Sequence, residues 1–147
     1  MMSSDKIGIP KKILVAVDGS EDGYKAADYA IALAARLQSV ILFLYVAGAS
    51  SAEHNYSISV DMVGAFEQLG TEALSKCSER ARKKGVAFET LLVPGDPVDE
   101  ILKNAMRTNC DSIVVGKRAQ SEMEKLLMGS VSDKVSKLSN ISVTVVT

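Results

Sequence analysis

The 147-residue sequence contains no tryptophan, one histidine (His54) and only two cysteines, Cys77 and Cys110. A single histidine in a polar stretch argues against a histidine metal cluster and against a Ser-His-Asp triad. Because the cysteines do not form a C-x-x-C motif, we expect reduced thiols rather than a disulfide or a zinc site. The sequence therefore predicts no catalytic residue and no metal ligand of a familiar type.

Long apolar runs and an excess of positive charge are also absent. The longest apolar run, 40–49, has only about ten residues, which is too few to span a bilayer. Residues 1–12 lack the apolar core of a signal peptide. The 17 basic and 18 acidic residues give a net charge of −1, whereas duplex-binding proteins are usually basic. We therefore expect a cytoplasmic protein that contacts neither membrane nor nucleic acid.

Two common nucleotide-binding motifs are missing as well. The chain has no G-x-x-x-x-G-K-[ST] and no G-x-G-x-x-G, so neither a P-loop nor the dinucleotide-binding fingerprint is present. A nucleotide site in this chain would need another geometry.

The sequence does contain five short strand-like runs that alternate with four helical patterns. The runs are residues 13–17, 40–46, 87–93, 112–115 and 142–146. Strands that are apolar throughout are typical of a parallel sheet covered by helices on both faces. The length suits one core, so we expect a single α/β domain over residues 1–147, with 1–11 as an N-terminal tail.

Local signals predict where the helices begin, end and face the core. Ser20 is a good N-cap for the first helix, and Gly85 is expected to end the second. Asp96 followed by Pro97 predicts the start of the third. Apolar residues at helical spacing predict the buried faces, and they include Leu37, Leu69, Met106 and Leu138.

Turns rich in glycine and serine follow the first and fourth strands. Ligands of open α/β sheets bind beyond the carboxyl ends of the strands, where the winding reverses. If strands one and four are neighbours, Asp18 and Gly116 face each other across one crevice. Glycine allows backbone to approach a ligand closely, and a helix that starts with small hydroxyl residues favours anions. The pattern predicts a pocket for the phosphates of a nucleotide.

Residues 116–132 fit G-x2-G-x9-G-[ST] with one substitution. This pattern resembles the nucleotide-binding motif of the universal stress protein family. The resemblance covers about residues 11–146 and includes the first strand and its turn, the second strand, the Gly95-Asp96-Pro97 turn and the last strand. It implies a three-layer α/β/α fold of the adenine nucleotide alpha hydrolase type, with five parallel strands in the order 3-2-1-4-5. It also implies a dimeric stress-response module that binds an adenine nucleotide across strands one and four.

The resemblance also assigns residues to parts of the ligand, taken as ATP or as AMP or ADP. Positions that match the adenine and ribose end are Ala16, Val17, Asp18 and Val46, with Gly116 near the ribose. Positions that match the phosphate-binding turn are Gly129, Ser130, Val131 and Ser132. Arg118 matches a variable position whose charge would suit a phosphate, and Mg²⁺ could bridge the phosphates.

Ala119 departs from the family pattern, because ATP-binding members have glycine there. If the backbone is left-handed at this position, the added methyl costs about 1–2 kcal/mol, which is roughly a five- to thirtyfold loss of affinity. An alternative interpretation is therefore a dimeric interaction or signalling protein that keeps the fold and has lost the site. A nucleotide hydrolase has weaker support, since the motif shows neither a positioned base nor a Walker lysine, and any ATP hydrolysis should be slow.

The last strand is apolar on both faces and has no later element to cover its edge. An open edge strand is a template for pairing, and family members commonly pair this strand with its twin. The resemblance therefore implies a homodimer with Val143, Val145 and Val146 at a two-fold interface.

Overall fold

The computed structural model describes residues 9–47, 60–117 and 131–147, without the side chains of 60–63. Strands and helices alternate along the chain. The strands are β1 (Lys12–Ala16), β2 (Val40–Ala47), β3 (Phe88–Pro94), β4 (Ser112–Gly116) and β5 (Ser142–Val146). The helices are α1 (Glu21–Leu37), α2 (Val60–Lys83), α3 (Pro97–Arg107) and α4 (Val131–Leu138).

The five strands form one parallel sheet in the order β3-β2-β1-β4-β5. This order confirms the prediction and places β1 at the centre. In the β1–β4 pair, Val15 lies opposite Val114. The chain first moves outward from β1 to β3 and then returns past β1 to β4, so the winding reverses between β1 and β4.

Side chains that alternate along the strands build a separate core on each face of the sheet. On one face, Val15 and Phe43 pack with the alanine-rich side of α1 and with α2. On the other face, Leu14 and Leu44 pack with Ile101 of α3 and with α4. The central strands are buried on both faces, which explains why they contain almost no polar residue. The result is the expected three-layer α/β/α arrangement.

The predicted helix boundaries follow from the capping residues. The Ser20 hydroxyl accepts a hydrogen bond from the Gly23 N–H at the start of α1. The Asp96 carboxylate accepts one from the Asp99 N–H at the start of α3, where Pro97 occupies the first turn. Gly85 follows the end of α2 at φ 68°, a left-handed conformation that glycine adopts without strain.

Four residues predicted to face the core are exposed instead. Leu37, Leu69, Met106 and Leu138 are 38%, 54%, 65% and 62% exposed. In α3 the buried face is Val98, Ile101, Ala105 and Asn104. Met106 follows Ala105 in the sequence and points about 100° away from it around the helix. In α2 a residue four positions away is rotated by about 40° around the helix. Leu69 is therefore turned away from the face on which Ala73 is buried. The sheet covers only a narrow stripe of each helix.

Both cysteines are free thiols within the cores. Among the helices in the described ranges, none is both long enough and apolar enough to cross a bilayer.

Candidate functional site

The turns predicted to form the site lie at one edge of the sheet. We call this the carboxyl edge, because all five parallel strands end there. The β1–β4 pairing runs from Ile13 and Ser112 to Val15 and Val114. The ends of β1 and β4 therefore lie side by side where the winding reverses, which confirms that strands one and four are neighbours.

The first turn of α1 contacts both of these segments. A Cβ built on Gly116 would lie 2.6 Å from the main-chain oxygen of Asp22. A Cβ built on Gly23 would lie 2.9 Å from the Asp18 carboxylate oxygen Oδ1. Glycine at 116 and 23 thus allows one helical turn to approach both the end of β4 and the acidic side chain after β1.

Asp18 is half-buried and is oriented by Ser20. Its Oδ1 accepts a hydrogen bond from the Ser20 main-chain N–H at 2.9 Å and another from the Ser20 hydroxyl at 2.5 Å. The hydroxyl oxygen in turn accepts the Gly23 N–H at 3.1 Å. Gly19 between them has φ 84°, which the tight turn requires and which a residue with a Cβ rarely adopts. The sequence therefore folds this turn so that the carboxylate is held against the start of α1.

Lys117 joins the end of β4 to β5 and to the start of α4. Its N–H donates to the Val146 carbonyl at 2.9 Å. Its carbonyl accepts the hydroxyl of Ser132 at 3.2 Å, and Ser132 itself is only 5% exposed. Two ends of the motif, Gly116 and Ser132, are thereby brought to the same edge although they are far apart in the sequence.

Four of the predicted site residues lie outside the described ranges. These are Arg118, Ala119, Gly129 and Ser130.

The remaining apolar site residues divide between the two faces of the sheet. Ala16, Val46 and Val131 are partly buried against the core beneath α3 and α4. Val17 belongs to the opposite core, is 4% exposed, and donates its N–H to the Leu44 carbonyl. The structure therefore places Ala16 and Val46 on one side of the edge, while the Val17 side chain contributes to the packing beneath it.

Two tyrosines on the α1 side respond to the charge of Asp18. Burial raises the pKa of Tyr45 above its ordinary value, and the Asp18 carboxylate raises it further. Burial also raises the pKa of Tyr24, with Asp18 among the smaller contributors. Sequence patterns did not mark these tyrosines or Gly23 as part of the region. The one available signal was a glycine in the first turn of a helix, where glycine is a poor helix former.

The described residues contain no cluster of three or more His, Cys, Asp or Glu side chains that could hold a metal ion. The chemistry of the edge, within the same ranges, is therefore that of main-chain amides, one oriented carboxylate, a buried hydroxyl and partly buried apolar side chains.

Comparison with known proteins identifies relatives that match most of the chain. A family model described as "Universal stress protein family" matches residues 10–147. The universal stress protein YxiE of Bacillus subtilis is 35% identical over 145 residues, covering 92% of this chain and 97% of the relative. The universal stress protein MJ0531 of Methanocaldococcus jannaschii is 31% identical, with 92% and 81% covered.

Solved structures are similar over the same extent. The M. jannaschii protein MJ0577 superposes with a TM-score of 0.80 at 24% identity, with 92% of this chain and 94% of that chain covered. A universal stress protein in complex with cAMP superposes with a TM-score of 0.71 at 24% identity, with 94% and 97% covered. Two further similar structures contain AMP, in an Arabidopsis thaliana protein, and dAMP, in one from Archaeoglobus fulgidus. Their TM-scores are 0.67 and 0.68, at 21% and 23% identity.

Proposed function

Since the chain belongs to the universal stress protein family, we propose that it binds an adenine nucleotide, ATP in the first instance, at the carboxyl edge between β1 and β4. The observation that carries this proposal is the contact of the first turn of α1 with both Asp18 and Gly116, at the point where the winding of the sheet reverses. Open α/β sheets bind ligands at such a point. The complexes of similar proteins with cAMP, AMP and dAMP support the choice of an adenine nucleotide.

Each part of the nucleotide has a candidate partner. Ala16 and Val46 offer partly buried apolar surface for the base, and the Asp18 carboxylate can accept hydrogen bonds from the adenine amino group or from ribose hydroxyls. Gly129 and Ser130 precede α4 in the sequence, and Val131 and Ser132 begin it; main-chain N–H groups and the dipole at a helix start favour phosphate. The charge of Arg118 suits a phosphate, and Mg²⁺ bridging the phosphates is compatible with this arrangement.

The proposal is tested by isothermal titration calorimetry of the purified chain with ATP, ADP, AMP, cAMP and GTP. We expect saturable binding of the adenine nucleotides and weaker binding of GTP. The matched pair of variants is Asp18→Asn, which removes the charge at the edge, and Asp28→Asn, which removes an exposed charge of α1 that pairs with Arg80. Only Asp18→Asn should weaken binding. Absence of saturation up to about millimolar ATP, a free energy of only about −4 kcal/mol, would overturn the proposal.

A second candidate function is a dimeric interaction or signalling protein of the same fold that has lost the site. Ala119, in place of the glycine of ATP-binding members, is the residue that favours it. Ala119→Gly distinguishes the two. A large gain in ATP affinity supports a lost site, and an unchanged affinity supports an intact one.

We further propose that the chain forms a homodimer through β5. Among the residues that the structure describes, β5 pairs with β4 alone, so its other side can pair with the β5 of a second copy. Val145 is 37% exposed, and Val143 and Val146 are partly buried, which would leave apolar surface for such an interface. In this proposal the output is a change of conformation or assembly on nucleotide binding, with at most slow hydrolysis.

A further inference from the structure

The hydroxyl of Ser20 makes two hydrogen bonds with different partners. Its oxygen accepts the Gly23 N–H at 3.1 Å, and its proton goes to Asp18 Oδ1 at 2.5 Å. The first bond caps α1. The second is made to a carboxylate that stands at the proposed nucleotide site. One side chain therefore connects the start of a helix to the acidic group of the site.

We infer that Ser20 is a positioning residue that holds the Asp18 carboxylate in place for a hydrogen-bond donor of the nucleotide. The inference rests on the proposed function and adds to it a residue that touches Asp18 rather than the ligand.

Helix capping alone does not require a donor at this position. A cap needs only an oxygen that accepts a main-chain N–H, and Asp96 serves α3 in that way through its Oδ2, which accepts the Asp99 N–H at 3.0 Å. A hydroxyl both donates and accepts, so serine can cap the helix and bind Asp18 at the same time. A carboxylate at position 20 would cap α1 but would repel Asp18.

The two donors of Ser20 also act together on one oxygen. The main-chain N–H reaches Oδ1 at 2.9 Å and the hydroxyl reaches the same atom, so two donors of one residue hold this oxygen. Without the hydroxyl, only the main-chain one of these two bonds remains, and Ser20 holds the carboxylate less firmly. A group that must be ordered on binding costs affinity. We expect a loss of about three- to tenfold for one such hydrogen bond.

The experiment compares Ser20→Ala, Ser20→Gly and Ser20→Thr with Asp96→Ala, using calorimetric titration with ATP. Ser20→Gly keeps most of the capping preference, because glycine is tolerated at an N-cap, and it removes the hydroxyl. Ser20→Thr keeps the hydroxyl. Asp96→Ala removes a cap of α3 and leaves Asp18 untouched. We expect weaker ATP binding for the alanine and glycine variants, near-native binding for the threonine variant, and no change for Asp96→Ala.

Two ATP analogues identify which group of the nucleotide donates a hydrogen bond to Asp18. 2′,3′-Dideoxy-ATP lacks the ribose hydroxyls, and inosine triphosphate lacks the 6-amino group. If a ribose hydroxyl donates to Asp18, the loss of affinity caused by Ser20→Gly disappears with the dideoxy compound. If the amino group donates, the loss of affinity disappears with inosine triphosphate. Either result supports the inference.

An equal loss with all three nucleotides would overturn the role of Ser20, as would native ATP affinity in the glycine variant. Absence of ATP binding by the unmodified protein would overturn the proposed function and this inference together. That outcome is distinct from failure of the inference alone, in which the unmodified protein binds and the Ser20 variants bind equally well.

Discussion

The α-carbon of Gly116 faces the main chain of Asp22, and a Cβ added to Gly116 would lie 2.6 Å from the Asp22 carbonyl oxygen. Real Cβ atoms do not approach backbone so closely, and a main-chain atom cannot move aside as a flexible side chain can. The first glycine of the motif therefore has a packing function of its own. It lets the first turn of α1 lie against the end of β4.

Gly116→Ala should lower the free energy of unfolding by about 1–3 kcal/mol, because the methyl group overpacks a contact with backbone. Urea denaturation measures this change. The matched control is Gly64→Ala in α2, where an added Cβ meets nothing within 4 Å. That change should raise the stability by about 0.5–1 kcal/mol, since alanine is the better helix former. Equal effects of the two substitutions would contradict the packing function of Gly116.

Replacing single side chains of α3 by alanine should distinguish its buried face from an apolar residue outside that face. Ile101→Ala should cost about 2–5 kcal/mol, because it leaves a cavity in the core, where Ile101 is 2% exposed. Met106→Ala should change the stability by less than about 0.5 kcal/mol, because Met106 is 65% exposed. Both values come from denaturant unfolding. A large cost at Met106 would show that this face is covered.

Removal of the Asp18 charge should lower the pKa of Tyr45. The negative carboxylate disfavours the phenolate, in addition to the larger effect of burial. In Asp18→Asn the pKa of Tyr45 should therefore move back toward its ordinary value of 10.0 and remain above it. The measurement is a pH titration of the tyrosine ring carbons by NMR. Asp28→Asn is the control, and the prediction fails if that variant shifts Tyr45 as much.

Ionisation of the Cys77 thiol should lower the free energy of unfolding at high pH. Burial raises the pKa of its thiol from 9.0 to about 12, so above about pH 9 the unfolded thiol ionises while the folded one keeps its proton. The free energy of unfolding is therefore unaffected by ionisation of Cys77 below about pH 9 and falls as pH rises toward 12, with a slope of at most about 1.4 kcal/mol per pH unit.

Cys77→Ala should accordingly flatten the fall of unfolding free energy between about pH 9 and pH 11. The comparison with the unmodified chain removes the contribution of tyrosines that both proteins share. An identical pH dependence in the two proteins would show that Cys77 ionises equally in both states.

Val145→Lys should weaken the proposed dimer on the order of tenfold or more, because lysine on an edge strand opposes pairing. Analytical ultracentrifugation over a concentration series measures the dissociation constant. Thr90→Lys places the same charge on β3, the opposite edge of the sheet, at an exposed position, and should leave assembly unchanged. The β5 interface is wrong if neither variant, or both equally, alters the dimer.

Local rules in the sequence determined much of the fold. The continuous apolar runs specified strands covered on both faces, and Ser20, Asp96 and Pro97 specified where α1 and α3 begin, since capping depends only on neighbouring atoms. The resemblance of the motif and strands supplied the strand order, which the structure confirms. It also pointed to Asp18 and Gly116 as residues of one edge.

Only the tertiary structure decided which faces are buried and what the glycines contact. Helical spacing alone could not show that Leu69 and Met106 lie outside the stripe covered by the sheet, because the width of that stripe depends on how each helix packs. Spacing also could not show that Gly116 approaches the backbone of Asp22, or that Tyr45 lies near the charge of Asp18. These contacts join residues far apart in the chain, and they exist only once the parallel strands have brought their ends to one edge.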